Sequence, residues 1–147
     1  MAKYVIGIDY GTLSGRILIV DVDSGKEICS EVSVYKNAVI SNELKGVKLP
    51  EDYALQHPDD YICVLYQIRP LLEKNNINPE DIAGIGIDFT SCTMLPVSKK
   101  YVPLCFYKKF SDNPHAYVKL WKHHSAQKYA DIINEKAIKE KYSFIKH

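Results

Sequence analysis

The sequence predicts one α/β domain, on the strength of three features. The first is a series of strand-like runs at residues 4–9, 17–22 and 28–35, joined by polar turns. The second is a helix that begins at Pro58, and the third is an almost wholly apolar run at 82–88. Strands, a helix, a further strand and a second helix occur in this order in ribonuclease H-like domains, although several α/β folds share pieces of it.

Composition and charge are those of an ordinary globular protein. The 147 residues are 46% apolar and 25% charged, enough for one domain with a buried core. Nineteen basic and eighteen acidic residues leave a net charge of +1, so no overall charge attracts nucleic acid or an anionic membrane. No apolar run approaches the roughly 20 residues that cross a bilayer. We expect a small-molecule ligand, with no nucleic-acid or membrane partner.

Cysteine usage and the start of the chain predict a cytoplasmic protein. No secretory signal follows Met1, since the first strand-like run begins at once. The cysteines form no C-x-x-C pair, so we expect reduced thiols at Cys29, Cys63, Cys92 and Cys105.

Signals at both ends define the first helix. Pro58 suits the first helical position, and Asp59 and Asp60 lie near the positive end of the helix dipole. Pro70 removes one helical hydrogen bond, a defect worth about 3 kcal/mol, so we expect a kink or an early end there. Asn75-Asn76 ends the pattern, whose apolar face comprises Tyr61, Val64, Leu65, Ile68, Leu71 and Leu72.

The middle of the chain is predicted to contain a loop and a buried strand. Residues 37–56 have no sustained period and are expected to form a long loop. The run 82–88 is predicted to be buried on both faces, with Gly84 and Gly86 packed closely against a neighbour.

Two further elements complete the secondary-structure prediction. Residues 93–97 and 102–105 are expected to pair as a hairpin. Asn113 and Pro114 indicate the start of a second helix, with an apolar stripe at Val118, Trp121, Tyr129, Ile132 and Ile133.

The strongest chemical signal is the turn at residues 9–16, DYGTLSGR. A carboxylate at a strand end can hold a metal ion or its water shell, and Gly11 lets the backbone approach a phosphate. Thr12 and Ser14 add hydroxyl and amide donors, and Arg16 adds a fixed positive fork. The spacing alone fits an ordinary polar turn with a surface arginine about equally well.

Two later segments carry further polar candidates. The loop after residue 88 lies at a strand end, where α/β sheets usually bind ligands. Within it Cys92 has no base nearby in sequence, so a buried thiol is favoured over a nucleophile. In residues 112–124, Trp121 fits a core position or a pocket wall, while adjacent histidines on a helix point apart and do not form a metal pair.

The pattern D-x-G-T-x-S-x-R at residues 9–16 resembles the first phosphate motif of the FGGY carbohydrate kinases, which share a superfamily with actin and the heat-shock chaperone ATPases. The resemblance implies an α/β, ribonuclease H-like domain of that superfamily, with only the first domain present and that one incomplete. It also implies an ATP site with Mg²⁺ held by Asp9 through water, and with phosphate contacts from Gly11, Thr12, Leu13, Ser14 and Arg16.

Residues 86–97 and 112–124 are similar to segments of the L-ribulokinases within that family. The resemblance implies MgATP-dependent phosphorylation of L-ribulose or a related ketopentose. It places four residues of the first segment on the sugar side: Asp88, Thr90, Ser91 and Cys92. Three residues of the second segment are second-rank candidates for the same side: Trp121, His123 and Lys119. An alanine is more usual at the position of Ser91, so this residue is expected to alter the sugar contact.

The likeness extends from residue 4 to about residue 130, and residues 137–147 form a divergent tail. Residues 1–147 are therefore expected to be an FGGY amino-terminal domain, shortened by an interrupted reading frame or by a deliberate cut. The general base and the adenosine-binding domain are expected beyond residue 147, so no catalytic residue is assigned here and the fragment is expected to be inactive. The surface left bare by the missing half favours a homo-oligomer.

Two other functions stay open at this point. A nuclease of the same fold, similar to the Holliday-junction resolvases, would bind two metal ions through Asp9 and Asp88. Such sites need another carboxylate from a later helix, where this sequence offers Lys119 and Lys122 before Asp131. The third function is a non-catalytic module that binds sugar weakly or associates with itself.

Overall fold

A computed structural model describes residues 3–142 and contains eight strands and three α-helices in that range. The strands are β1 (Tyr4–Tyr10), β2 (Ser14–Asp21), β3 (Glu27–Val34), β4 (Glu43–Leu44), β5 (Val47–Lys48), β6 (Leu55–Gln56), β7 (Ile82–Phe89) and β8 (Val118–Lys119). The helices are α1 (Pro58–Tyr66), α2 (Ile68–Lys74) and α3 (Gln127–Lys139).

The main sheet has the strand order β3-β2-β1-β7. Strands β1, β2 and β3 form an antiparallel meander, and β7 lies parallel to β1. The three amino-terminal strands thus confirm the prediction made from their β-branched runs and intervening turns. In the register of the sheet, Asp9 lies opposite Arg16 on one side and opposite Asp88 on the other.

Helices α1 and α2 cover one face of the meander. The ring of His57 accepts a hydrogen bond from the backbone N–H of Asp59 and so caps α1, with Pro58 in its first turn. Helix α1 ends at Tyr66 and α2 begins at Ile68, which confirms the break expected from Pro70. The core between sheet and helices comprises Ile6, Ile8, Ile17, Ile19, Tyr35, Val64, Leu71, Leu72 and Ile77.

Gly15 allows α1 to lie directly on the hairpin between β1 and β2. A Cβ atom at Gly15 would lie 2.5 Å from Cγ2 of Val64, which is fully buried. At Gly7, on the neighbouring strand, a Cβ atom would meet no other group within 4 Å. The hairpin and the helix are therefore fitted to each other at one glycine.

We expect Gly15→Ala to lower the free energy of unfolding by about 1–3 kcal/mol, because Val64 is β-branched and cannot turn away without strain. Urea denaturation followed by circular dichroism measures the change. Gly7→Ala is the matched control and should change stability by less than about 1 kcal/mol. Equal losses in the two variants would show that the Gly15–Val64 contact does not limit the packing.

The prediction that the run 82–88 is buried on both faces is wrong. Within residues 3–142, β7 has a strand neighbour on one side only, and Ile85, Ile87 and Phe89 are 55%, 59% and 67% exposed. The close packing expected at Gly84 and Gly86 is also absent from this part of the chain, since an added Cβ would meet nothing within 4 Å at either. The apolar run predicts a strand with both faces packed against other elements, but the meander and helices α1 and α2 leave the side chains of β7 exposed.

Residues 37–56 are more ordered than the predicted loop. They contain the β4–β5 hairpin, whose turn uses the left-handed backbone of Lys45 and Gly46, and they end in β6. This segment packs into a second apolar cluster, made of Leu44, Leu49, Leu55, Cys105, Ala116 and Tyr117. The hairpin predicted for 93–105 is reduced to a turn at Ser98 and a single bridge between Val97 and Pro103.

The second predicted helix is also wrong in its position. Asn113 caps only a short 3-10 turn at Pro114–Ala116, after which β8 pairs with β6. The pairing of β8 with β6 overrides the local helix signal, and it accompanies the burial of Leu55 and Tyr117 in the second apolar cluster. Helix α3 begins only at Gln127 and continues into the charged tail, of which residues 143–147 lie outside the described range. The side chains of Tyr129, Ile132 and Ile133 on it are exposed.

Candidate functional site

The open face of the sheet brings three predicted site residues together. Side chains alternate along a strand, so the burial of Ile8 against the helices turns Asp9 to the opposite face. The register places Arg16 and Asp88 on that same face, and all three residues line one concavity there. In the part of the chain that the structure describes, neither carboxylate forms an ion pair with Arg16. Two acids and a base are thus free to contact a charged ligand.

The tip of the β1–β2 hairpin presents unused backbone donors. The N–H of Gly11 donates to the carbonyl of Ser14 at 3.0 Å and closes the turn. Among residues 3–142, the N–H groups of Thr12 and Leu13 have no acceptor. Free amides at a tight turn beside an arginine form the kind of concavity that binds phosphate.

Gln56 and Tyr61 support this tip from the helix side. Gln56 is 1% exposed, and its Nε2 donates to the carbonyl oxygen of Thr12 at 2.7 Å. The hydroxyl of Tyr61 donates to Oε1 of the same glutamine at 2.5 Å. Burial, and then the charge of Asp60, raise the pKa of Tyr61 to about 12, so its hydroxyl remains a donor at neutral pH.

Trp121 lies beside the hairpin, although it is 54% exposed. Its indole Nε1 is 3.5 Å from Oγ1 of Thr12, at the limit of a hydrogen bond. This contact joins a candidate sugar-side residue to a candidate phosphate-side residue across 109 positions of sequence.

The loop after β7 is tied to the end of β1. Both the N–H and the hydroxyl of Thr90 donate to the carbonyl of Tyr10 at 3.1 Å. Ser91 and Cys92 are exposed in the turn that follows. The expectation of a buried thiol at Cys92 is therefore wrong, because the residue has left-handed backbone at φ 58° in an open turn. All four cysteines are free thiols, as expected.

His123 is directed into the protein rather than toward the hairpin. Its Nδ1 accepts from the backbone N–H of Ala54 at 3.1 Å, and its Nε2 lies 2.6 Å from the hydroxyl of Ser125. Burial, and next the charge of Lys119, lower the pKa of the ring. Burial also lowers the pKa of Lys119, whose Nζ donates to the carbonyl of His115. The neutral imidazole thus stabilises the region around β6 and β8 through these two hydrogen bonds.

We expect the folded protein to lose stability as pH falls below about 6.5. In the unfolded chain His123 takes up a proton near the ordinary histidine pKa, whereas its lowered pKa in the folded state keeps it neutral. Protonation therefore favours the unfolded state until the folded pKa is passed.

Thermal melts at pH 7.5 and pH 5.5 measure this loss. His123→Asn retains an acceptor for the amide of Ala54 without titrating, so its melting temperature should depend less on pH. His124→Asn, at an exposed neighbouring position, is the control and should behave as the unaltered chain does. If the melting temperature of His123→Asn falls between pH 7.5 and pH 5.5 by as much as that of the unaltered chain, another group is responsible for the pH dependence.

The roles of Gln56 and Tyr61 are not predictable from the motifs of the sequence. A glutamine in a predicted loop carries no signal of burial, and Tyr61 was identified only as part of an apolar helix face. A buried glutamine amide needs hydrogen-bond partners for both its oxygen and its nitrogen. The nearby hydroxyl of Tyr61 is therefore the signal that could have indicated a role for both residues.

No helix between residues 3 and 142 is long and apolar enough to span a membrane. Over the same residues, no group of three or more histidine, cysteine, aspartate or glutamate side chains is arranged to hold a metal ion.

Comparison with known sequences identifies similar proteins of much greater length. The chain is 51% identical over 146 residues to a ribulokinase of Anoxybacillus flavithermus, covering 97% of this chain and 26% of that protein. It is 51% identical to the ribulokinase of Geobacillus thermodenitrificans and 46% identical to that of Halalkalibacterium halodurans, with the same coverage. The chain thus spans about a quarter of the length of these relatives. No protein-family model matches it.

Solved structures of sugar kinases share the fold. A gluconate kinase and a ligand-bound xylulose kinase, both from Lactobacillus acidophilus, match with TM-scores of 0.66 at 18% and 19% identity. Each match covers 92% of this chain and 23% of the other. At that identity they establish the fold alone, and they confirm the predicted ribonuclease H-like α/β class. The chain is thus similar in sequence to an amino-terminal segment of the ribulokinases and shares its fold with sugar kinases, which supports the resemblance to the FGGY carbohydrate kinases.

Proposed function

We propose that the chain supplies the phosphate-binding hairpin and one wall of the sugar pocket of a kinase that transfers the γ-phosphoryl group of MgATP to L-ribulose or a related ketopentose. The observation that carries this proposal concerns residues 3–142, among which the amide donors of Thr12 and Leu13 have no acceptor and the neighbouring Asp9 and Arg16 have no ion-pair partner. Similarity to ribulokinases supports the choice of sugar.

The residues on the open face fit a magnesium nucleotide. Asp9 would hold Mg²⁺ through its water shell, since a carboxylate at a strand end offers the oxygen ligands that this ion prefers. The bound ion would neutralise charge on the transferred phosphoryl group. Arg16 and the hairpin amides would orient the phosphates, leaving positioning as the main contribution of this chain.

We assign the sugar side to residues around Thr12 and the loop after β7. Trp121 would form a wall of the pocket, and Thr90, Ser91 and Cys92 would face the ketose with Asp88. The internal bonds of His123 favour a supporting position for it rather than a direct contact with sugar.

No residue of this chain is proposed as the general base. Relatives that carry the printed activity are about four times as long, so we propose that residues 1–147 act as the first domain of a two-domain site and do not catalyse transfer alone. The nuclease hypothesis is not favoured, because the similar proteins found by sequence are ribulokinases. The cytoplasmic location and the homo-oligomer stay predictions.

We expect Mg-ADP to bind the isolated chain with a dissociation constant in the millimolar range, about 4 kcal/mol at the standard state. The donors are held by paired strands, whereas the adenosine contacts of the proposed two-domain site would come from its other domain. A titration followed by amide NMR should give shifts concentrated at residues 11–16.

Arg16→Ala should weaken that binding roughly tenfold or more, because a charge-assisted bond to phosphate contributes about 1.5–3 kcal/mol. Arg69→Ala is the matched control, since Arg69 is exposed on α2 and pairs with Glu73. Shifts confined to residues 115–124, with the hairpin unchanged, would contradict the phosphate assignment.

A further inference from the structure

We propose that Gln56 is a positioning residue that aims the backbone N–H of Leu13 outward, toward the phosphates that the hairpin would bind. The inference rests on the proposed function and adds a residue that the phosphate pattern of residues 9–16 does not contain. It also explains why a buried amide lies below an exposed turn.

The geometry of one peptide bond carries the argument. The bond between Thr12 and Leu13 is trans, so its carbonyl and its N–H point in opposite directions. Gln56 holds that carbonyl from the protein side at 2.7 Å. The N–H of Leu13 is therefore directed away from the protein, where it has no acceptor among the described residues.

Tyr61 determines which end of the Gln56 amide faces the hairpin. Its hydroxyl donates to Oε1, so Nε2 is the end that faces Thr12. The ring of Tyr61 is itself fixed by edge contacts with Tyr10 and Tyr35, at centroid distances of 5.6 and 5.7 Å. A reversed amide would set two oxygens against each other at Thr12, and the Tyr61 hydroxyl would have to accept from Nε2 instead of donating to Oε1.

The backbone around Gln56 is held as well. Gln56 pairs with Val118 in the β6–β8 ribbon, and His57 caps α1 immediately after it. The same ribbon leads to Trp121, whose indole contacts the hydroxyl of Thr12. One structural unit thus holds both the carbonyl and the side chain of Thr12, and through them the tip of the hairpin.

Gln56→Glu tests the proposal, because it keeps the shape and replaces the donor by a carboxylate. At pH 8 we expect a lower heteronuclear NOE at the Leu13 amide and Mg-ADP binding weakened about five- to tenfold. Near pH 5.5 the NOE at Leu13 and the Mg-ADP affinity should both return toward the values of the unaltered chain measured at the same pH. Burial opposite a carbonyl raises the pKa of a glutamic acid, so the side chain is protonated at this pH and donates as the amide did.

A second variant and a control make the result decisive. Tyr61→Phe removes the hydroxyl that orients the amide and should weaken Mg-ADP binding two- to threefold, which decides the matter if Gln56→Glu does not fold. Leu72→Ala destabilises the same core from α2, which packs beside β3, so it should change neither the Leu13 signal nor the affinity.

The outcomes separate this proposal from the proposed function. Unchanged Mg-ADP affinity in Gln56→Glu at pH 8 would overturn it. A loss of affinity that Leu72→Ala matches, or a loss that does not recover at pH 5.5, would overturn it as well. If the unaltered chain binds no Mg-ADP, the proposed function fails instead. The heteronuclear NOE of the Leu13 amide in Gln56→Glu then tests the positioning role by itself. A lower NOE at pH 8 that recovers at pH 5.5 supports the role, and an NOE that does not change contradicts it.

Discussion

Replacing Asp9 by asparagine is expected to slow phosphorylation of L-ribulose by at least about a hundredfold in a chimeric kinase. The chimera carries this chain in place of the 146 matching residues of the Anoxybacillus flavithermus ribulokinase, which is 51% identical there. Asp9 is exposed on the open face beside Asp88 and has no ion-pair partner in the described range, so its charge is available to a bound ion. Its loss would leave phosphoryl charge uncompensated.

A coupled assay of ADP release at saturating L-ribulose measures the effect. Asp23→Asn is the matched control, since Asp23 lies in the exposed turn between β2 and β3, at the other end of the sheet. A loss of less than about tenfold in the Asp9→Asn chimera would show that this carboxylate does not serve the magnesium nucleotide. An equal loss in Asp23→Asn would attribute the effect to the fold.

The isolated chain is expected to show no turnover, at least about a thousandfold below the 1–100 s⁻¹ of ordinary kinases. The proposed function gives it the phosphate hairpin and a pocket wall but no general base. The same ADP-release assay, run with and without L-ribulose, measures this directly. Sugar-dependent release within a hundredfold of ordinary rates would mean that a base lies among residues 1–147.

The amino-terminal meander could be predicted closely because its information is local. Alternating β-branched residues and polar turns specify β1 to β3, and the parity of Ile8 and Asp9 assigns the faces. Pro58 and Pro70 likewise act within their own helix, so α1 begins and ends near the predicted positions.

The rest depended on contacts between distant residues. The burial expected for β7 needs neighbours that its own apolar run does not identify, and within residues 3–142 no strand pairs with its second edge. The signal at Asn113 and Pro114 starts either an α-helix or a 3-10 turn, and the pairing of β8 with β6 decided for the turn. Long-range pairing of this kind overrides local propensity.

The predictability of the candidate site also depends on how far apart its residues lie in the sequence. The turn residues from Asp9 to Arg16 could be selected from their types and spacing, because the hairpin that brings them together is continuous in sequence. The contact of Trp121 with Thr12 and the support from Gln56 could not, since they join the hairpin to residues 109 and 44 positions away.

Activity of the chimera itself tests the central proposal most directly. If residues 1–147 contribute the phosphate hairpin and sugar wall of a ribulokinase, the chimera should fold and release ADP in the presence of L-ribulose, within about tenfold of the parent enzyme under the same conditions. D-xylulose, gluconate and glycerol at the same concentration are the matched alternative acceptors. A folded chimera that binds Mg-ADP but leaves L-ribulose unphosphorylated, or that prefers one of the other acceptors, would contradict the proposal.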